Sequence, residues 1–364
     1  SSAASDVYKR QVIHVHKCSY LLTGGGAMHG RRIELGIMKK ALLVTIVCFV
    51  IPGFFTLMLT GVRQPSQEAD IGRNGRVRID AGKSATDIGV DDYIAGVLAS
   101  RLEYGSEPEL IKTQAVMIRT QIYRAMKDSF SVDDDELAMT YISKKERMKL
   151  WQGDYEANES LIEDCTAAVS QLVMRCNNEL IDCPYTYITA GKTRSMSDGA
   201  MPWLKQAECP DDSSTEQYIS IKYISNQDFV KLCSKKFAPV TEAASSGLSK
   251  DAPLETVQIV ERDRSDYVNR IKVGNIVISG EEFADALGLA SPCFFIEDVS
   301  RNTLGAGNAS GDIRITVRGS GSGYGLSINQ AAVMARQGSG YDEILKYFFN
   351  GTEIKEVTEI VKGV

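Results

Sequence analysis

Residues 91–123 read DDYIAGVLASRLEYGSEPELIKTQAVMIRTQIY, and the spacing in this stretch decides the fold class. Asp91 and Asp92 are helix-capping residues, and Tyr93, Ile94, Val97, Leu98 and Leu102 behind them recur at three- and four-residue intervals. Gly105 and Ser106 break that helix. Pro108 suits the first turn of a second one, running to about Lys127 and burying Ile111, Ala115, Ile118, Ile122 and Met126. A third helix is predicted from Tyr155 to Leu172.

Downstream the period changes. Short apolar or alternating runs at 172–176, 184–189, 255–260, 270–273, 275–279, 294–299 and 312–318 predict strands. Helices are expected at 281–289, 327–336 and 341–349, with Ser327 as a cap, and 235–254 reads as a surface loop. Helices first and short strands later give an α+β fold, expected as a two-lobed domain with a cleft over residues 87–352. The predicted lobes are 87–205 and 255–352, with 206–254 as an insert and 353–364 as a tail.

Upstream, residues 41–61 (ALLVTIVCFVIPGFFTLMLTG) carry no charge over a length that spans a ~30 Å hydrocarbon core. Residues 38–61 are therefore expected to form one N-terminal transmembrane anchor, with a cleaved signal peptide as the competing reading; the run is longer than a usual signal-peptide core and lacks a clean small-x-small site. Arg31, Arg32, Lys39 and Lys40 precede the run and Arg63 follows it, a bias that keeps the amino terminus inside and the bulk of the chain extracytoplasmic. Residues 62–86 read as a polar tether. Residues 1–37 fit no element, and SSAASDVYKRQ reads as translated adapter sequence, so they are set aside.

All three histidines, His14, His16 and His29, fall in that leader. The external domain thus has no imidazole, which excludes Ser-His-Asp and Cys-His catalysis and His-rich zinc sites. A net charge of -6 and scattered Lys and Arg residues argue against a nucleic-acid partner. Six cysteines, Cys165, Cys176, Cys183, Cys209, Cys233 and Cys293, form an even set that permits disulfides outside the membrane. Their spacing suits no zinc knuckle, and neither metal nor cofactor is expected.

Four collinear blocks carry a family resemblance: the stretch at 91–123, TYITAGKTRSMSDGAMPWLKQAE at 186–208, ISGEEFADALGLASPCFFI at 278–296 and RGSGSGYGLSINQAAVMARQGSGYDEILKYFFNGTEI at 318–354. Together they resemble the sporulation stage II protein D (SpoIID) family over roughly residues 88–352. The best-known members of that family are membrane-anchored lytic transglycosylases acting on peptidoglycan glycan strands. The resemblance implies a glycan-binding cleft, with Gln114, Arg119, Thr189, Gly191, Thr193, Gly321, Ser322, Gly323 and Ser327 as substrate-binding candidates. Glycines 319, 321, 323 and 325 by themselves also fit a tight turn before a capped helix.

The departures are chemical. Glycosidic cleavage needs a carboxylic acid that donates a proton near neutral pH, and the family's catalytic glutamate falls on Arg101, whose guanidinium stays charged. Glu103 is the substitute carboxylate two residues on. The family's histidine in the glycine-rich block is Ser322 here, its glutamine is Ile328, its following glycine is Gln330 and its second-block histidine is Thr186. The expectation is a wall-associated pseudoenzyme that binds glycan or other cell-wall or sporulation proteins. An active lytic transglycosylase using Glu103 or another substitute carboxylate is the alternative.

Overall fold

The computed structural model describes residues 75–357, apart from 81–84, 104, 128, 197–198, 238–247, 250 and 300–311. The expected anchor at 41–61 lies outside the described residues. Among those described, no helix is long and apolar enough to cross a membrane.

The fold is α+β, built from small sheets and short helices. Strand β1 (Arg76–Asp80) pairs antiparallel with β2 (Ala85–Gly89). The stretch expected as tether thus ends in an antiparallel strand pair, with Val77 fully buried. Helix α1 (Val90–Arg101) follows β2 without a linker, and its N-cap is Gly89 rather than an aspartate. Asp91 and Asp92 sit in the first turn, where their charge complements the exposed backbone N–H groups.

Helix α2 (Pro108–Met126) begins on its proline as expected. It buries more than the predicted stripe, because Thr113, Gln114, Val116, Met117, Arg119 and Thr120 are buried as well. The reason is its central position: α2 packs against neighbours on several sides, and its middle turns, 113–120, are enclosed all round, while Pro108 and Arg124 near its ends stay exposed. Those neighbours include α1 and helices and strands later in the chain. Strand β3 (Ser131–Asp133) adds parallel to β1, and α3 (Asp134–Leu137), α4 (Lys144–Trp151) and α5 (Tyr155–Ala168) follow. Helix α5 ends four residues before the predicted Leu172, which instead opens β4 (Leu172–Cys176). Strand β5 (Glu179–Leu180) pairs with β4, and β6 (Tyr185–Thr186) is all that remains of the strand expected at 184–189.

The segment expected as an insert is structural. Strand β7 (Ile219–Ile224) and helix α6 (Asn226–Phe237) join β8 (Val257–Arg262), β9 (Val268–Val273), β10 (Ile276–Ser279), α7 (Gly280–Leu287), β11 (Phe294–Asp298) and β12 (Ile313–Arg318). These form two antiparallel three-stranded sheets, β10-β9-β8 and β11-β12-β7. Their shared core includes Phe229, Phe283 and Phe294, with successive ring centroids 6.2 and 5.0 Å apart. Strand β12 alternates as a half-buried strand should, with Ile313, Ile315 and Val317 inward.

The chain then returns to the first core. Strand β13 (Leu326–Ser327) pairs parallel with β6, and α8 (Ile328–Arg336) and α9 (Tyr341–Phe348) pack on α2. Strand β14 (Glu353–Glu356) closes against β4. Core membership therefore divides the chain as 77–209 with 326–349, and 224–317.

All six described cysteines are free thiols, five of them buried. Burial pushes Cys209 and Cys233 up to about 12 and Cys293 up to about 11.

Candidate functional site: a groove with Arg101 at its waist

Helix α1 stops at Arg101, and the chain turns away in extended conformation at Leu102. The Arg101 guanidinium lies over the Tyr185 ring, 4.2 Å from its centroid, and its Nη1 donates to Gln114 Oε1 at 3.3 Å. Tyr187, 43% exposed, meets Tyr185 edge to face at 5.7 Å. Burial pushes the Arg101 guanidinium's pKa down, while Tyr185, Tyr187 and Tyr93 act to raise it. It remains a cation at any working pH.

Arg101 and Tyr187 line two adjoining cavities. One, of about 350 Å³, is walled by Gln121, Met139, Asp182 and Tyr185. The other, of about 530 Å³, runs between Glu103, Glu107 and Leu110 on one side and Glu216, Asn329 and Arg336 on the other. Together they make a groove pinched at Arg101.

Of the expected binding residues, Gln114 is fully buried and reaches the groove only through its bond to Arg101. Arg119 lies in the core instead: it is 2% exposed, its Nη2 donates to Asp91 Oδ1 at 2.5 Å and its Nη1 to the Val169 carbonyl at 2.8 Å. It clamps α2 to the start of α1 and the end of α5, because a buried guanidinium needs a carboxylate and further acceptors around it. Glu103 is exposed on the groove wall.

Thr189 and Ser327 meet at a residue that sequence reading missed. Asp212 is 0% exposed and is held by donors rather than by a cation. Its Oδ2 accepts from Thr189 N and Oγ1, each at 2.7 Å, and from Ser327 Oγ at 2.8 Å. Its Oδ1 accepts from Asn329 Nδ2 at 3.0 Å. Ser327 also caps α8 by accepting from Gln330 N at 3.2 Å. This buried carboxylate fixes the second and fourth blocks against each other, directly behind the groove wall that Asn329 lines.

Gly191 N donates to Thr189 Oγ1 at 3.2 Å, and Thr193 Oγ1 accepts from Ala207 N at 2.8 Å, so both serve this scaffold. Gly321 and Gly323 have φ of +110° and +83°. A Cβ would fall 2.3 Å from Thr186 Oγ1 at the first and 2.3 Å from the Tyr267 ring at the second, so the glycines let two loops touch. The Ser322 carbonyl accepts from Arg194, a second residue missed. Arg194 is 2% exposed, its Nε donates to Asp263 Oδ2 at 2.6 Å and its Nη2 to Asn269 Oδ1 at 2.8 Å, and it also pairs with Glu281. The only signal for it was an arginine inside an otherwise polar motif.

The substituted family positions are integrated. Thr186 Oγ1 donates to the Ser320 carbonyl at 2.8 Å. Gln330 exchanges two bonds with Asp211, accepting from its N at 3.1 Å and donating to Oδ2 at 3.0 Å. No cluster of three or more metal-ligating side chains is present among the described residues.

Residues 80–175, which contain Arg101, Glu103, Gln114 and Arg119, match the SpoIID family, described as stage II sporulation protein. Stage II sporulation protein D of Bacillus subtilis (strain 168) is 28% identical over 288 residues, 76% of this chain and 77% of the relative. That of Bacillus amyloliquefaciens is 26% identical over 284 residues, 75% and 76% of the two chains. An uncharacterized protein of Brachyspira hyodysenteriae (strain ATCC 49526 / WA1) is 24% identical over 294 residues, 76% and 69%.

Proposed function

Because the chain belongs to the stage II sporulation protein D family, we propose that it is a membrane-anchored, wall-facing sporulation protein that binds peptidoglycan glycan strands in its groove without cleaving them. The observation that carries this reading is Arg101 at the waist of the groove, stacked on Tyr185 and bonded to Gln114, where the family resemblance puts the proton-donating glutamate. A guanidinium has no proton to give to a glycosidic oxygen. The bonds that hold Thr186 and Gln330 support the same reading, since these replacements have found partners instead of leaving polar atoms stranded.

The groove keeps what sugar binding needs: an exposed aromatic face at Tyr187 and polar walls from Glu103, Glu107, Glu216 and Asn329. Pelleting of the full chain, purified in mild detergent, with isolated peptidoglycan tests this. Wild type sediments with the wall and Tyr187→Ala weakens sedimentation; a chain that stays in the supernatant contradicts the proposal. For the anchor, a reporter fused to the carboxyl terminus is expected to be active outside the membrane, and activity only in the cytosol would reject the topology.

The second reading, an active transglycosylase, rests on Glu103 lining the same groove. Its side chain is exposed, so the exclusion of water that a general acid exploits is not built around it.

A further inference from the structure

We propose that Arg101 is the anion-recognition group of the groove, receiving a ligand carboxylate at the waist between the two cavities. The proposal rests on the glycan-binding reading and names the chemistry that is recognised. Among the described residues three arginines are buried, and each answers a carboxylate: Arg119 with Asp91, Arg147 with Glu159, and Arg194 with Asp263 and Glu281. Arg101 departs from that pattern. Among the described residues no carboxylate pairs with it, and the groups around it are the Gln114 amide and Tyr93, Tyr185 and Tyr187.

A half-buried cation without a counter-charge is an electrostatic vacancy that a ligand can fill. A guanidinium carries five N–H donors in a planar fork, and Gln114 takes only one. Packing over Tyr185 restrains the fork, and Arg101 lines both cavities, so its other N–H groups are the donors available there to a carboxylate. The acids Glu103, Glu107 and Glu216 line only the larger cavity. With Arg336 also lining it, they leave that arm net acidic and able to accept hydrogen bonds from sugar hydroxyls, while Arg101, half-buried at the junction of the two cavities and over the Tyr185 ring, is the cation that receives the carboxylate.

Two parts of peptidoglycan supply such a group: the lactyl carboxylate of a muramic acid freed of its stem peptide, and the carboxylates of the stem peptide itself. Titration of the full chain in detergent with N-acetylmuramic acid, its methyl amide and a free stem peptide separates them. N-acetylmuramic acid is expected to bind about tenfold or more tightly than its amide, with the preference shrinking in high salt. Arg101→Gln should abolish the preference and Arg101→Lys should keep part of it. An Arg101-dependent preference for the stem peptide would leave the carboxylate site standing and assign the peptide as its source.

Equal affinity of wild type for acid and amide, no saturable binding of either carboxylate probe, or a preference unchanged in Arg101→Gln overturns the proposal. If Arg101→Gln does not fold, the wild-type acid-to-amide ratio and its salt dependence decide. Wall sedimentation that persists without any acid preference would remove this proposal and leave glycan binding intact; an acid preference without sedimentation would do the reverse.

Discussion

Replacing Asp212 by alanine should destabilise the whole groove wall. Its two oxygens accept from Thr189 N, Thr189 Oγ1, Ser327 Oγ and Asn329 Nδ2. Asn329 keeps a second acceptor in the Asp211 carbonyl, and the hydroxyls can rotate. The Thr189 backbone N–H cannot, and at least one hydroxyl is stranded with it. Each buried unsatisfied group costs roughly 1–3 kcal/mol, partly offset by no longer burying a carboxylate, for a net loss of about 3 kcal/mol. In a domain of this size that lowers the melting temperature by about 6–12 °C.

Asp212→Asn keeps one acceptor and turns an amide toward a donor, so about 1 kcal/mol is expected. Ser327→Ala combined with Asp212→Ala should be non-additive, with a coupling of at least about 0.5 kcal/mol, because they share one bond network. Differential scanning calorimetry of wild type, Asp212→Ala, Asp212→Asn, Ser327→Ala and the double variant measures these shifts. A shift under about 2 °C for Asp212→Ala, or strict additivity, would refute the reasoning.

Gly323→Ala puts a methyl 2.3 Å from the fully buried Tyr267 ring at a φ of +83°, so a loss of about 3 kcal/mol is expected in urea unfolding, and a wild-type midpoint would contradict the contact. Among the six described cysteines, Cys176 should alkylate first at pH 8, with Cys209 and Cys233, both pushed up to about 12 by burial, reacting only on unfolding; peptide mapping that finds either before Cys176 would reject the packing. Glu109 is desolvated, yet its bonds to Lys112 and the Tyr341 N–H hold its carboxyl below the usual glutamate value. A depressed folded-state pKa means the unfolded chain binds more protons there, so this stabilisation is present above about pH 4.5 and is lost as pH falls through the folded value. The stability gap between wild type and Glu109→Gln should close from pH 6 to pH 3, and a constant gap would argue against the pairing.

The local periods carried the helices and most strands. Helices α1 and α8, the cap at Ser327 and the alternation of β12 were all legible, because each depends on neighbours within a few residues. What escaped depends on distant partners. Arg119 reads as a helix-surface cation until Asp91, 28 residues away, and the Val169 carbonyl, 50 away, are seen around it. Asp212 lies 115 residues from Ser327, in a segment whose polar composition reads as an insert. The all-round burial of the middle of α2 could not be inferred from its stripe, since Thr113, Gln114 and Arg119 are polar positions enclosed by elements that arrive later in the chain. At the site, the motif blocks contain Arg101, which lines both cavities, whereas Gly321 and Gly323 pack loop against loop outside the cavity lining and Tyr187, which joins the two cavities, carried no sequence signal beyond its motif.

The most direct test of the account is mass spectrometry of the soluble fragments released when the full chain is incubated with purified peptidoglycan, run beside Glu103→Gln. A binding protein with Arg101 at the family's acid position releases no anhydro-ended glycan fragments from either sample. Anhydro-ended fragments from wild type that vanish in Glu103→Gln would contradict it and make this chain an enzyme.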